Sequence, residues 1–218
     1  MLSPKKLATL FAGLIVTASA PVWASSIVWD WSPLATGGTV TNNFWTNRNP
    51  GQHFGEVVSF PETMLIDGID IYGGTTYGEV GSPVVVTVWQ DSAGTPGGVL
   101  AQFNTTISAI DSVEASAGNH RMHADFAGID MLANVDYWIG MAGDNSLGVT
   151  LVQTGLSGVP GGDGKVARFD GGDTFSTFAT DVQDMSFRLY GTIPEPATIA
   201  LFGIGLAGLG FSRRRKRA

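Results

Sequence analysis

The middle of the chain alternates short apolar runs with clusters of Gly, Pro, Asn and Asp. Apolar residues return at close to every second position in 66–71, and 84–89 is an almost continuous β-branched run. Both patterns indicate β-strands, because successive side chains of a strand point to opposite faces and β-branched residues suit it. The predicted strands are 26–31, 39–45, 54–60, 64–72, 84–90, 99–107, 120–126, 136–141, 149–153, 165–169 and 185–190.

The spacing of these strands predicts the fold class. No segment between them sustains a helical apolar period beyond two turns, so helical crossovers are not expected. Short strands in succession without crossovers imply antiparallel pairing. We therefore expect one all-β domain over residues 25–192, an antiparallel β-sandwich of jelly-roll type. The order of strands and turns from 54 to 107, followed by 135–140, is similar to that of extracellular jelly-roll modules.

The first 24 residues have the pattern of a secretion signal. Lys5 and Lys6 precede an apolar run over 7–16, and small residues lead to Ala24. A positive start, a short apolar stretch and a small residue at the end are the parts of a cleavable signal peptide. We predict a signal helix that is cut after Ala24. The alternative is an uncleaved anchor, for which the run is shorter than the ~20 apolar residues of a membrane span.

Residues 193–218 form a second distinctive segment. The triplet Pro194, Glu195 and Pro196 precedes an uncharged, glycine-rich apolar run over 197–211. The prolines keep the backbone extended, and the run beyond them predicts a short transmembrane helix of about 22 Å. A basic cluster, predicted to stay on the cytoplasmic side, closes the chain: Arg213, Arg214, Arg215, Lys216 and Arg217.

This order of triplet, apolar run and basic cluster resembles the PEP-CTERM sorting signal. The resemblance implies that an exosortase, a membrane-embedded cysteine transpeptidase or protease, recognises Pro194, Glu195 and Pro196 and cuts near them. It also implies a Gram-negative bacterium that makes exopolysaccharide, biofilm or floc. The precursor would be held transiently in the inner membrane, and the mature chain would lie at the cell surface or in the extracellular matrix. An ordinary tail anchor with a chance Pro-Glu-Pro is the alternative.

Charge separates the body of the chain from its ends. Residues 25–192 hold 18 acidic and 5 basic residues, a net charge of −13, although the whole chain carries −7. Phosphate backbones repel such a body, which argues against nucleic-acid binding, whereas divalent cations would be attracted. The chain has no cysteine, so disulfides, thiolate metal sites and cysteine nucleophiles are excluded.

Three aspartates in glycine-rich stretches are candidate ligands for a cation. Asp163, Asp170 and Asp173 offer the hard oxygen atoms that Ca²⁺ prefers, which makes them candidate ligands for this ion; no other cofactor is expected. Their spacing matches neither an EF-hand nor a nonapeptide calcium repeat, and turn chemistry alone also accounts for Asp-Gly pairs. His120 and His123 stand three apart on one predicted strand, where they face opposite sides, which disfavours a shared metal site.

Tryptophans are the candidates for contact with an extracellular polysaccharide. Trp45, Trp89 and Trp138 could stack on sugar rings, and Trp45 has the most polar neighbours. Core packing is the alternative for each of them, since burial of an aromatic ring stabilises a domain.

Motifs of catalysis are absent from the sequence in their standard forms. The chain has neither a His-Glu-x-x-His pattern nor a Gly-x-Ser-x-Gly elbow. We therefore expect a non-enzymatic structural protein of the surface or matrix, without catalytic residues. A carbohydrate-binding module is one alternative. A secreted hydrolase is another, because paired carboxylates are brought together in space rather than in sequence.

Overall fold

The computed structural model describes residues 25–36, 42–48, 51–73, 79–112, 120–144, 152–157, 162–179 and 184–193. The predicted signal helix, the Pro-Glu-Pro triplet, the predicted transmembrane helix and the basic cluster lie outside these residues. Within the described ranges, none of the helices has the length and apolar character needed to span a membrane.

The described chain consists almost wholly of strands. A short helix, α1 (Pro33–Thr36), follows the first of them. The strands are β1 (Ser26–Asp30), β2 (Asn42–Thr46), β3 (Gln52–Val58), β4 (Met64–Gly73), β5 (Pro83–Asp91), β6 (Pro96–Thr106), β7 (Ala109–Ser112), β8 (His120–Met131), β9 (Tyr137–Gly143), β10 (Val152–Ser157), β11 (Ala167–Asp170), β12 (Phe175–Phe178), β13 (Asp184–Met185) and β14 (Phe187–Thr192).

These strands form two large antiparallel sheets and one small one. The first large sheet has five strands in the order β1-β14-β4-β8-β7. The second has six, in the order β12-β11-β3-β9-β5-β6, and the small sheet is β13-β10-β2. Each pairing between these strands is antiparallel, which confirms the all-β, antiparallel prediction.

The two large sheets share one hydrophobic core. The five-stranded sheet contributes Ile66, Ile69, Ile71, Met122, Ala124, Phe187 and Leu189, and the six-stranded sheet contributes Phe54, Val58, Val84, Val86, Val88, Ile139 and Met141. Each fully buried aliphatic or aromatic side chain contributes about 1.5–3 kcal/mol to folding. A register shift between Ile66 and Gly68 lets both Ile66 and Ile69 face this core, although residues three apart on a regular strand face opposite sides.

A second apolar cluster covers the other face of the six-stranded sheet. Trp89 and Phe169 stack there with ring centroids 4.1 Å apart, beside the buried Trp138 and Ala167. The indole N–H of Trp89 donates to the carbonyl oxygen of Asp173 over 2.9 Å. Because β5 is buried on both faces, its sequence is a continuous apolar run rather than an alternating one.

Most predicted strands lie where strands are observed, but several differ from them in length. The strand predicted over 120–126 continues to Met131 as β8, and the strand predicted over 99–107 begins earlier, at Pro96, as β6. The sequence pattern missed β7, β12 and the helix α1, and its strand over 185–190 joins part of β13 to β14. Residues 39–41 and 149–151 of two predicted strands lie outside the described ranges.

Gly140 gives a test of how the six-stranded sheet is assembled. A methyl group at Gly140 on β9 would overlap the carbonyl oxygen of Phe54 on β3. Gly140→Ala should therefore lower the free energy of unfolding by about 1–3 kcal/mol or more. At Gly98 a methyl group meets no atom of the described residues within 4 Å, so Gly98→Ala should stay within about 0.5 kcal/mol of the parent. Equal urea midpoints for the two variants would contradict this placement of β9.

Candidate functional site

Three carboxylates from separate segments meet beside β3. Glu56 of β3, Asp184 of β13 and Asp163 each bring an oxygen to within 4.8 Å of the others. Glu56 and Asp184 are buried, whereas Asp163 is exposed. Backbone amides of Val57 and Met185 donate to the Glu56 carboxylate over 3.0 and 2.8 Å. Burial raises the pKa of Glu56 well above its ordinary value, and the nearby carboxylate of Asp184 adds to the rise.

The folded chain separates the three aspartates that the sequence suggested as one calcium site. Asp163 lies with Glu56 and Asp184, Asp170 accepts from Arg168 over 2.8 Å, and Asp173 accepts from Arg48. Glu56, Asp163 and Asp184 are thus the described residues whose oxygens are close enough to share a divalent cation. Calcium binding stays a prediction.

The outer face of the five-stranded sheet carries a network centred on Asp70. This carboxylate is fully buried, and the Nδ1 atom of His123 lies 2.7 Å from its Oδ1 atom. The hydroxyl of Tyr190 donates to its other oxygen over 2.7 Å, and an Arg121 nitrogen lies 3.7 Å away. The second ring nitrogen of His123 lies 3.0 Å from Asp125. Hydrogen bonding to Asp70 therefore raises the pKa of His123, and burial with that same carboxylate raises the pKa of Tyr190 to about 12.

A second polar network lies on the outer face of the six-stranded sheet. Arg48 donates to Asp173 over 2.8 Å and to Asp144 over 2.9 Å. Burial opposes ionisation of Asp173, but hydrogen bonds from Arg48 and Gln102 outweigh it and lower the pKa of Asp173. Burial also lowers the pKa of His53 to about 4, so the ring is neutral at physiological pH. Its Nε2 atom lies 3.7 Å from Asp173 and has no hydrogen-bond partner among the described residues.

Every basic residue of the body lies near a carboxylate. The pairs are Arg48 with Asp144 and Asp173, Arg121 with Asp70 and Asp111, Lys165 with Asp163, Arg168 with Asp170, and Arg188 with Asp30. Since these five are the only basic residues between positions 25 and 192, the remaining charge of the body is carboxylate. The body therefore presents an anionic surface to its surroundings.

Two of the three suggested sugar-stacking tryptophans face the interior. Trp89 is 0 % exposed and Trp138 is 1 % exposed, so neither ring offers a face on which a sugar could stack. Trp138 donates its indole N–H to Asp91 over 2.9 Å. Trp45 lies on β2 opposite Gln153, and its side chain is outside what the structure describes.

Both ends of the described chain lie at one end of the two sheets. Gly191 near the end of β14 pairs with Ser26 at the start of β1, and Thr192 pairs with Leu65 near the start of β4. The same end holds the last residue of β8, because Met131 pairs with Met64. It also holds the start of β9, because Tyr137 pairs with Val58, the last residue of β3, and only five residues separate the end of β3 from the start of β4. We call this the terminal end. The Pro-Glu-Pro triplet therefore follows the last strand after a single residue, Ile193.

An all-β body, followed directly by a Pro-Glu-Pro triplet, an apolar run and a basic cluster, has the organisation of a protein with a C-terminal sorting signal. The family model for the PEP-CTERM protein-sorting motif matches residues 192–216. This match confirms the resemblance seen in the sequence, and it implies export, a membrane-anchored precursor and processing by an exosortase. No curated protein matches the chain.

Sequence reasoning missed Glu56 and Asp184 as partners of Asp163. The sequence held a signal for Glu56: it stands two residues from both Phe54 and Val58 on β3, so it shares their inward face. Asp184 had no such signal, because its contact with Glu56 depends on how distant segments pack. Asp70 had no such signal either. It lies between core isoleucines on β4, so it takes the outer face, and side chains from β8 and β14 bury it there.

The charge of His123 gives the domain a dependence on pH. Because the pKa of His123 is raised in the folded state, its stabilisation is complete below the unfolded pKa of about 6.5 and is lost as pH rises through the folded pKa. His123→Gln should cost about 1–3 kcal/mol at pH 5.5 and less at pH 9. His120→Gln changes the other histidine of β8 and serves as the control. A cost that stays constant between the two pH values, measured by urea unfolding, would contradict this role.

Glu56 also makes stability fall as pH rises, but here the reason is that the folded state disfavours the ionised form. Since its folded pKa is raised, the unfolded chain ionises first, and stability falls as pH rises above the unfolded pKa of about 4.3 until the folded pKa is passed. Glu56→Gln should flatten this fall in a plot of unfolding free energy against pH, whereas Glu62→Gln in an exposed loop should leave it unchanged. Thermal unfolding with and without added Ca²⁺ tests calcium binding. Bound calcium would raise the melting temperature of the parent more than that of Glu56→Gln.

Proposed function

We propose that this protein is a non-enzymatic structural component of the bacterial cell surface or extracellular matrix. It is exported through the inner membrane, trimmed by an exosortase at Pro194, Glu195 and Pro196, and then associates with extracellular polysaccharide, with divalent cations or with itself. The observation that carries the proposal is the position of the sorting motif, which begins within β14, the last strand of the folded body.

The charge of the body supports an extracellular role. All five basic side chains of the body lie near carboxylates of the same domain, so the body keeps a surplus of carboxylates that attracts counterions. Such a surface keeps a protein soluble at high concentration and attracts divalent cations. A matrix in which cations bridge acidic chains would hold this domain by the same attraction.

We also propose that the domain is a β-sandwich of jelly-roll type that carries no catalytic centre. The shared core between two antiparallel sheets supports the sandwich. Three ionisable groups make their hydrogen bonds within the domain: His123 bonds to Asp70 and Asp125, and Arg48 donates to Asp144. This pattern favours a structural role for them over proton transfer to a substrate.

Mass spectrometry of the protein recovered from the producing cells tests the sorting function. The surface fraction should contain a chain that begins at Ser25 and ends near Pro194, Glu195 and Pro196. Glu195→Ala should retain the basic cluster and remain in the membrane fraction, because the motif is no longer recognised. An intact basic C-terminus in surface material from the parent would leave only an ordinary tail anchor.

Fractionation of the same cells tests the matrix role. The trimmed chain should copurify with extracellular polysaccharide from the producer. A trimmed chain found wholly free in the medium, without saturable binding to that polysaccharide in a pull-down, would contradict association with it.

A further inference from the structure

Exposed apolar side chains gather at the terminal end of the domain. Among the described residues, seven large hydrophobic side chains are at least 40 % exposed. Only Val80 lies at the opposite end, where β5 begins. The other six are Ile27, Val99, Leu100, Leu132, Val135 and Ile193.

Part of this surface is concave. A groove of about 470 Å³ opens between the β5–β6 hairpin and the connection from β8 to β9. Leu100, Leu132 and Val135 supply its apolar walls, and the carboxylates of Asp91 and Asp136 lie among them. The connection is held in place, since the amide of Leu132 donates to the Tyr137 hydroxyl over 3.1 Å and that of Asn134 to the Phe60 carbonyl over 2.7 Å.

The length of chain beyond β14 decides what must come against this surface. From Ile193 to Pro196 an extended chain reaches about 11 Å at most. An enzyme that takes the Pro-Glu-Pro triplet into its active site therefore has to approach the terminal end closely. The short reach excludes processing at a distance on a free tether.

We propose that the terminal end, with the groove lined by Leu100, Leu132 and Val135, is a docking surface for the membrane-embedded processing enzyme. This inference rests on the proposed processing at the sorting motif. The matching surface of that enzyme would present apolar side chains to the groove and basic or amide donors to Asp91 and Asp136. Docking there would align the triplet with the active site.

A lipid surface fits these residues less well than a protein does. The apolar side chains line a concave groove that also holds two acidic residues, whereas a surface that inserts into a bilayer presents a continuous apolar face. Asp91 and Asp136 would also be pressed toward headgroups that carry the same negative charge in an anionic membrane. A protein surface can enter the groove and donate to Asp136 and to the remaining lone pairs of Asp91, whose oxygens already accept from Trp138 and Gly94.

Processing kinetics in the producing cells test the docking surface. Leu132→Asp, and separately Val135→Asp, should slow appearance of the trimmed chain about tenfold, as substitution of an interface anchor does. Val80→Asp is the matched control, since Val80 is 63 % exposed and Leu132 is 55 % exposed, and it should be trimmed at the parent rate. Trimming of Leu132→Asp and Val135→Asp at the parent rate would overturn the proposal.

A flexible insertion separates docking from misfolding. With a long Gly-Ser linker between Ile193 and Pro194, the triplet can reach the enzyme without contact between enzyme and domain, so Leu132→Asp should lose most of its effect. If Leu132→Asp is equally slow with the linker, the substitution acts on folding or export and the docking surface is wrong. Equal thermal unfolding of parent and variant is expected in either background.

Two measurements on the trimmed protein test whether a membrane or a second copy of the chain, rather than the enzyme, binds the terminal end. Flotation with phosphatidylethanolamine and phosphatidylglycerol vesicles that Leu132→Asp abolishes would assign the surface to the membrane. A dimer in sedimentation that Leu132→Asp dissociates would assign it to a second copy. Either result would overturn the proposal. Failure of the processing itself is distinct: Glu195→Ala would then behave like the parent, whereas a docking failure leaves Glu195→Ala blocked and Leu132→Asp unaffected.

Discussion

The position of β14 between β1 and β4 is the constraint on which the rest of the domain depends. The last strand of the body pairs on one side with the first strand and on the other with β4, and it contributes Phe187 and Leu189 to the shared core. The chain has no disulfide to perform this closure. Strand pairing, apolar burial and the Asp30–Arg188 ion pair bring Ser26 beside Gly191 across 165 residues of sequence. The place where the sorting segment leaves the domain is fixed by the same contacts.

Buried carboxylates show two different solutions to one physical problem. Asp70 is surrounded by donors, since His123, Tyr190 and Arg121 all approach it, so its charge can be kept inside the domain. Among the described residues, Glu56 accepts hydrogen bonds from two backbone amides, those of Val57 and Met185, and has carboxylates for neighbours. A carboxylate in that setting takes up a proton or attracts a cation. The first arrangement stabilises the sheet while His123 is charged, and the second makes stability sensitive to what occupies the site.

The sequence predicts the kind of fold better than the sites on it. Alternation and turn residues identify most of the strands, because both are local properties of the chain. The register shift at Ile66 and the burial of β5 on both faces depend on distant strands, and no local pattern specifies them. For the same reason Asp163, Asp170 and Asp173, which share a composition, are placed in three different environments. The sorting motif was identified because its meaning lies in consecutive residues rather than in a fold.

Completion of the fold is tied to export by the order of the strands. The five-stranded sheet cannot close until residues 187–192 are available to pair with β1 and β4. Only four residues separate this stretch from the apolar run that begins at position 197, so in the proposed export it is the last part of the body to cross the membrane. On the proposed route of export, in which the chain crosses the membrane from its N-terminus, the sheet closes only on the far side. On that route the terminal end forms within a few residues of the Pro-Glu-Pro triplet, so the proposed processing would act on a domain whose last strand is already paired.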